Sequence, residues 1–219
     1  MINVILSSDA SGAAAAGSKG MVVVIVDVID FSTSMEAALD AGAAAIYGAA
    51  IDAARPPVKT DPYRMGYLSG SEALRLGKGV VVLAEPRTGA EEKRRQGILK
   101  ALDGIESSGA RIAAVIPNVG AETPRLTDIR GMVVLGVTGT GGVAFDAAMC
   151  AGSPAVLTGT VARTLAKNGF APARAAAIRS ASKARKLGRD IAVVAASGNS
   201  LEDILAAEYI YKTLMEMVR

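Results

Sequence analysis

The sequence predicts an α/β fold with three layers, a largely parallel sheet between helices, and two topologically similar halves. Three observations predict it. Short β-branched runs alternate with alanine-rich helical stretches along all 219 residues, the pattern of repeated strand–helix units. The strand runs are apolar without interruption, which suits burial on both faces. Finally, Gly20-Met-Val-Val is echoed by Gly131-Met-Val-Val. The first continues through a polar loop to Glu36-Ala-Ala-Leu-Asp-Ala-Gly42, the second to Asp146-Ala-Ala-Met-Cys-Ala-Gly152. Recurrence of strand, polar loop, short helix and Ala-Gly marks an internal repeat. The expected organisation is a single domain over 1–219, with halves of about 1–110 and 111–219.

The elements follow in chain order. Residues 2–6 form a first apolar run, and 21–28 the strongest, β-branched from Val22 to Val26. A helix over 35–41 follows, with Thr33 and Glu36 spaced as a capping box. Residues 44–48 make the next strand; 53–65, with three prolines and mixed charge, read as a surface loop and candidate lid. Helical patterns over 70–76 and 90–107 flank the strand at 80–83. Within the second helix, residues 91–95 (EEKRR) present an exposed face with near-neighbour charge pairs. Strands at 112–116 and 132–137 precede a small-residue helix over 143–151, and a strand at 154–157 comes next. Helices over 161–167 and 174–187, a strand at 191–196 and a helix over 201–218 complete the chain. Ser200 and Asp203 stand at capping-box spacing at the start of that last helix, which leaves Glu202 exposed on its first turn.

Composition narrows the chemistry. Apolar residues make up 51% but aromatics only 4%, which argues against a base-stacking platform. A net charge of +3 calls for no polyanion, so no nucleic-acid partner is expected. The basic residues from Arg163 to Arg189, eight with no acid among them, make either a solvated helix face or a rim that attracts a small anion. The apolar run from Met21 to Val26 falls far short of a membrane span, and MINVILSSD lacks the basic start of a signal peptide. The lone Cys150 excludes an internal disulfide and fits a reducing compartment as an inert, buried thiol. A cytoplasmic location is expected. With no histidine in the chain, histidine triads, phosphohistidine intermediates and histidine-ligated zinc are excluded. Chemistry is left to carboxylates, hydroxyls, Lys, Arg and a hard metal.

Ligands of open parallel sheets bind beyond the carboxyl ends of the strands. Asp27 and Asp30 lie at such an end, and paired carboxylates there suit Mg²⁺. They are three residues apart, not the two of a haloacid-dehalogenase pair, and no Walker loop is present. Gly136-Val-Thr-Gly-Thr-Gly-Gly142 precedes a helix and offers an anion nest of backbone N–H groups and hydroxyls. Ala84-Glu-Pro-Arg-Thr-Gly89 and Pro117-Asn-Val-Gly-Ala-Glu-Thr-Pro124 are two further strand-end loops.

In this order the loops resemble those of the 2-phosphosulfolactate phosphatase family, Mg²⁺-dependent acid phosphatases of coenzyme M biosynthesis. Asp27-Val-Ile-Asp-Phe-Ser-Thr-Ser34 is similar to that family's Asp-Val-x-Arg-Ala-Ser/Thr-Thr loop, and Ala84-Glu-Pro-Arg87 to its Gly-Glu-Arg turn. Asn118 and Glu122 fit its Gly-Asn-Ser-Pro-x-Glu loop, Val137-Thr-Gly-Thr140 its Thr-Asn-Gly-Thr loop, and Ser200-Leu-Glu-Asp203 its Ser-x-Glu-Asp helix start. The likeness runs from about Met21 to Leu214. Asp30 replaces the family arginine, Thr138 the loop asparagine, and Val119 and Gly120 the serine and proline.

The resemblance implies a Mg²⁺-dependent hydrolase of a small anionic phosphorylated metabolite, with a homodimer left open. Asp27 would hold the metal together with Glu202 or Asp203, with the catalytic Glu122 as an optional further ligand. Ser32, Thr33, Asn118 and the loop Thr138, Gly139, Thr140 and Gly141 would hold substrate oxygens, while Arg87 neutralises charge. The alternatives are a non-catalytic member of the same fold that binds a small anion or nucleotide, and an assembly role for the basic 163–189 segment.

Overall fold

The computed structural model describes residues 2–218. In chain order its elements are β1 (Val4–Ser8), α1 (Asp9–Ser18), β2 (Val22–Val26), α2 (Phe31–Asp40), β3 (Ala45–Ala50), α3 (Pro62–Arg75), β4 (Val80–Ala84), α4 (Glu91–Gln96) and α5 (Leu99–Ser107). There follow β5 (Ile112–Pro117), a 3-10 turn (Gly120–Arg125), β6 (Val133–Thr138), α6 (Gly141–Cys150), β7 (Ala155–Gly159), α7 (Ala171–Leu187), β8 (Ile191–Ala195) and α8 (Leu201–Val218). All strand pairs are parallel, in two four-stranded sheets ordered β1-β8-β2-β7 and β3-β6-β4-β5.

The uninterrupted apolar strands have the double burial they predict. Along β2, Val23 and Ile25 face a core shared with α1, α2 and α6, whereas Val22, Val24 and Val26 face α7 and α8. Along β4, Val81 and Leu83 join the same shared core, and Val80, Val82 and Ala84 pack under α3 and α5. Each sheet is thus the middle of a three-layer sandwich, and the two sandwiches share the helix layer α1, α2 and α6. Small residues allow the close fit: a Cβ on Gly136 of β6 would stand 2.7 Å from the Phe31 ring of α2.

The two halves match strand for strand. Read as β5-β4-β6-β3, the second sheet has the order of the first, β1-β8-β2-β7. The Gly20 echo falls on matching strands, β2 and β6, and their helices α2 and α6 cross between sheets in opposite senses. In this correspondence β1 belongs with β6, β7 and β8, so the repeat is permuted relative to the chain order. The carboxyl ends of both sheets consequently meet around the starts of α2 and α6.

Several local expectations give way to tertiary partners. Helix α1 occupies residues without a predicted element, α2 begins at Phe31, and α3 begins at Pro62 inside the expected loop. The helix expected over 90–107 breaks between α4 and α5. No helix forms over 161–167; this segment is tied instead to Asp40, which accepts from Thr164 Oγ1 and Lys167 Nζ and from Ala166 N at 3.1 Å. The Thr33–Glu36 capping box is absent. Thr33 Oγ1 donates to Val28 O at 2.7 Å, and Glu36 binds Thr158 of β7 and Arg179 of α7. Ser200 does cap α8, accepting from Asp203 N at 3.2 Å. The expected lid is fastened at its end, because Asp61 N donates to the buried Asp146. No helix among the described residues is long and apolar enough to cross a membrane.

Candidate functional site

Asp27 stands at the end of β2 and is only 2% exposed. Its Oδ2 accepts from Thr140 Oγ1 at 2.6 Å and from Gly141 N at 2.8 Å; its Oδ1 accepts a longer bond from Phe31 N at 3.3 Å. Phe31 and Gly141 are the first residues of α2 and α6. A buried carboxylate is therefore held between two helix N-termini, where orphan N–H groups and helix dipoles both favour negative charge. The glycine-rich loop is an anion nest as expected, but its anion is Asp27 of the other half.

Three more carboxylates gather around this one. Asp203, on the first turn of α8, accepts from Val28 N at 2.8 Å through Oδ1. Burial, reinforced by the charges of Asp27 and Glu202, pushes its pKa up to about 6, against the lowering effect of the Val28 and Ser200 hydrogen bonds. Glu85, beyond β4, exposes much of its surface, yet partial burial of its carboxyl, then Asp27, raises its pKa. Arg87 and the Asn118 side chain oppose that shift. Asp30 is also raised, first by burial and then by Asp27, with Arg87 countering. Its Oδ2 pairs with the Arg87 guanidinium, which is half exposed.

Glu85, Pro86 and Arg87 also line an open cavity of about 380 Å³, together with Ile51, Ala53, Lys93 and Ile98. The cavity lies beyond β3 and β4, and Glu85 is the residue common to it and the carboxylate cluster. Arg94, buried, steadies the rim by donating to Gly89 O at 2.9 Å.

The resemblance-implied residues are thus brought together in part. Asp27, Arg87, Asn118, Thr140, Gly141 and Asp203 share the mouth. Glu122 does not; its carboxylate is taken by Arg125 at 2.9 Å and Arg163, because the 3-10 turn presents it to the surface. Those arginines hold its pKa low. Glu202 is exposed beside Phe170 and Tyr209, one residue out of phase with the inward-facing Asp203. Ser32 is consumed in locking the loop, donating to Ile25 O at 2.9 Å and accepting from Asp27 N at 3.0 Å. Thr33 is occupied by Val28 and Thr160, and Thr138 Oγ1 by Gly142 N at 2.8 Å. Gly139 and Thr140 are exposed and border a second cavity with Asp9, Ser11 and Ser197. Asn118 is buried and accepts from Ser34 Oγ at 2.5 Å.

Hard carboxylate oxygens are the right donors for Mg²⁺, but their arrangement does not fit a ready-made site. Both Asp27 oxygens and Asp203 Oδ1 already accept from protein donors, and Glu202 faces elsewhere. Among the described residues, no three acidic, histidine or cysteine side chains are grouped to hold an ion. Cys150 has no evident part in the chemistry: burial, first, and Asp146 raise its pKa to about 11, which keeps it a thiol. Sequence reasoning singled out neither Glu85 nor Lys93 as a site residue. The carboxylate of Glu85 following strand residues 80–84 was the available signal.

The Asp203 shift has a consequence for stability. With a folded pKa above its unfolded value, the folded state binds the proton more tightly. The Asp203 contribution is fully present below about pH 4 and is lost as pH rises through about 6. Melting curves across that window are expected to show wild type gaining stability on acidification relative to Asp203→Asn, which lacks this dependence.

A comparison with known protein families finds no family model that matches the chain, and a comparison with curated proteins finds no match either.

Proposed function

We propose that the chain hydrolyses a small anionic phosphoester by carboxylate acid–base chemistry at the mouth shared by the two sheets. One observation carries this reading: Glu85 belongs both to a cavity containing Arg87 and Lys93 and to a cluster of carboxylates with raised proton affinity. Perturbed carboxyls beside a cavity are what proton transfer near neutral pH requires. In this reading the substrate's anionic oxygens face Arg87 and Lys93, which stabilise charge building up in the transition state. Glu85 takes a proton from water as the water oxygen attacks phosphorus. As the ester P–O bond breaks, Asp203 delivers a proton to the leaving oxygen. Asp27 orients the Val28–Phe31 loop and the start of α6.

The test is phosphate release from a panel of small phosphoesters, with and without Mg²⁺. Turnover by wild type, strongly reduced in Arg87→Ala, is the expected result. Release no higher than in Arg87→Ala, with or without Mg²⁺, rejects the hydrolase.

A second reading is non-catalytic binding of a small anion. It is favoured by the internal use of Ser32, Thr33, Thr138 and Gly141, and by the pairing of Arg87 with Asp30. Ligand-dependent thermal stabilisation without turnover distinguishes it.

A further inference from the structure

Arg87 is the more exposed member of its ion pair. Its side chain is 50% exposed and lines the cavity, whereas that of Asp30 is 15% exposed and sits on the inner side of the mouth. Lys93, on the cavity wall, has no carboxylate within ion-pair distance among the described residues. The cavity therefore holds one free cation and a second whose partner could be exchanged. We propose that the Asp30–Arg87 pair is an exchangeable latch: a tetrahedral oxyanion entering the cavity takes Arg87 from Asp30, binds Lys93 as well, and leaves Asp30 to take up a proton.

The proposal deepens the functional reading, since it rests on this cavity being the ligand site. The charge arithmetic supports exchange. A doubly charged tetrahedral anion offers the guanidinium two oxygens in its own plane, and Lys93 adds attraction that a lone carboxylate cannot match. Asp30 is then left with unfavourable company. The charged groups facing it are Arg87, which departs, and the acids Asp27 and Glu85; Gly120 and Thr33 nearby present no charge. Partial burial and two like charges favour its protonated form. Ligand binding would thus arm an additional acid beside Glu85. It would also make affinity depend on the cost of unlatching Arg87, as for any site whose competent state is a fraction of the population.

Sulfate tests this without turnover, because it is a tetrahedral dianion that does not titrate near neutrality. Calorimetry at pH 6, in buffers of differing ionisation heat, counts protons taken up on binding. Wild type is expected to bind sulfate with proton uptake. Asp30→Asn, with Arg87 already free, is expected to bind about tenfold more tightly and without that uptake. Asp30→Ser repeats the measurement in case the amide finds a new partner in the loop. Both Arg87→Ala and Lys93→Ala are expected to weaken binding. Equal affinity in wild type and both Asp30 variants, no sulfate binding in any of them, or binding indifferent to Arg87 overturns the latch. Sulfate binding with the expected pattern but no phosphoester turnover would retain the latch and reject the hydrolase, so the two failures are separable.

Discussion

Asp27→Ala is expected to lower the unfolding free energy by about 3–5 kcal/mol, a severe effect for one side chain. The substitution strips the acceptor from Phe31 N, Thr140 Oγ1 and Gly141 N in a position that is 2% exposed. Each buried donor left unpaired costs about 1–3 kcal/mol. Two helix starts also lose the charge that complements their dipoles. Asp27→Asn keeps the size and one acceptor oxygen but turns an NH₂ group toward an existing donor, and about half of that loss is expected. Urea unfolding checks this: the midpoint should fall while the slope is preserved, since the same surface is exposed on unfolding. The strand does not end in a carboxylate only to display it; Asp27 fastens one half of the repeat to the other.

The second large effect concerns rate. In the proposed reaction Asp203→Asn is expected to reduce kcat/KM by roughly 10²–10⁴-fold, the range for loss of a positioned general acid. The amide retains an oxygen for Val28 N, and the Ser200 cap is made by the Asp203 backbone, so the fold keeps both contacts. Activity and stability should therefore part company. Asp203→Asn loses turnover with little loss of stability at neutral pH, whereas Asp27→Ala loses stability first. The pH dependence of the residual rate adds a check, because the limb governed by Asp203 should vanish. An unchanged rate with an unchanged profile would remove Asp203 from the chemistry.

What was legible in the sequence, and what was not, follows from the range of the interactions. The eight strands were visible because unbroken runs such as 80–83 and 191–196 have only one stable destination, the middle of a parallel sheet. The repeat was visible because small residues recur wherever helices cross between sheets. Helix α1 was not, since DASGAAAAGS carries no amphipathic contrast; its Ala13 and Ala16 are buried through contacts with distant elements. The misassigned segment 161–167 has helix-forming residues, but Asp40 holds it through three groups in an irregular path. Thr33 and Glu36 satisfied a local capping rule and found better partners far along the chain, in Thr160 and Arg179. The same holds at the site. Strand-end position pointed to Asp27, the Arg87 turn and the glycine-rich loop, and the family resemblance pointed to Asn118. That Asp27 fills the nest, that Asp30 holds Arg87 and that Glu122 meets two arginines are pairings between loops, invisible to spacing.

Carboxyls from separate strand ends share one mouth, where the charge of Asp27 adds to burial in raising the proton affinity of Glu85 and Asp203. Carboxyl-carbon NMR of Asp203 through a pH titration measures this directly. A midpoint near 6 is expected, moving down when Asp27 is replaced by Asn. A midpoint at the ordinary aspartate value of about 3.9, the same in both proteins, would contradict it.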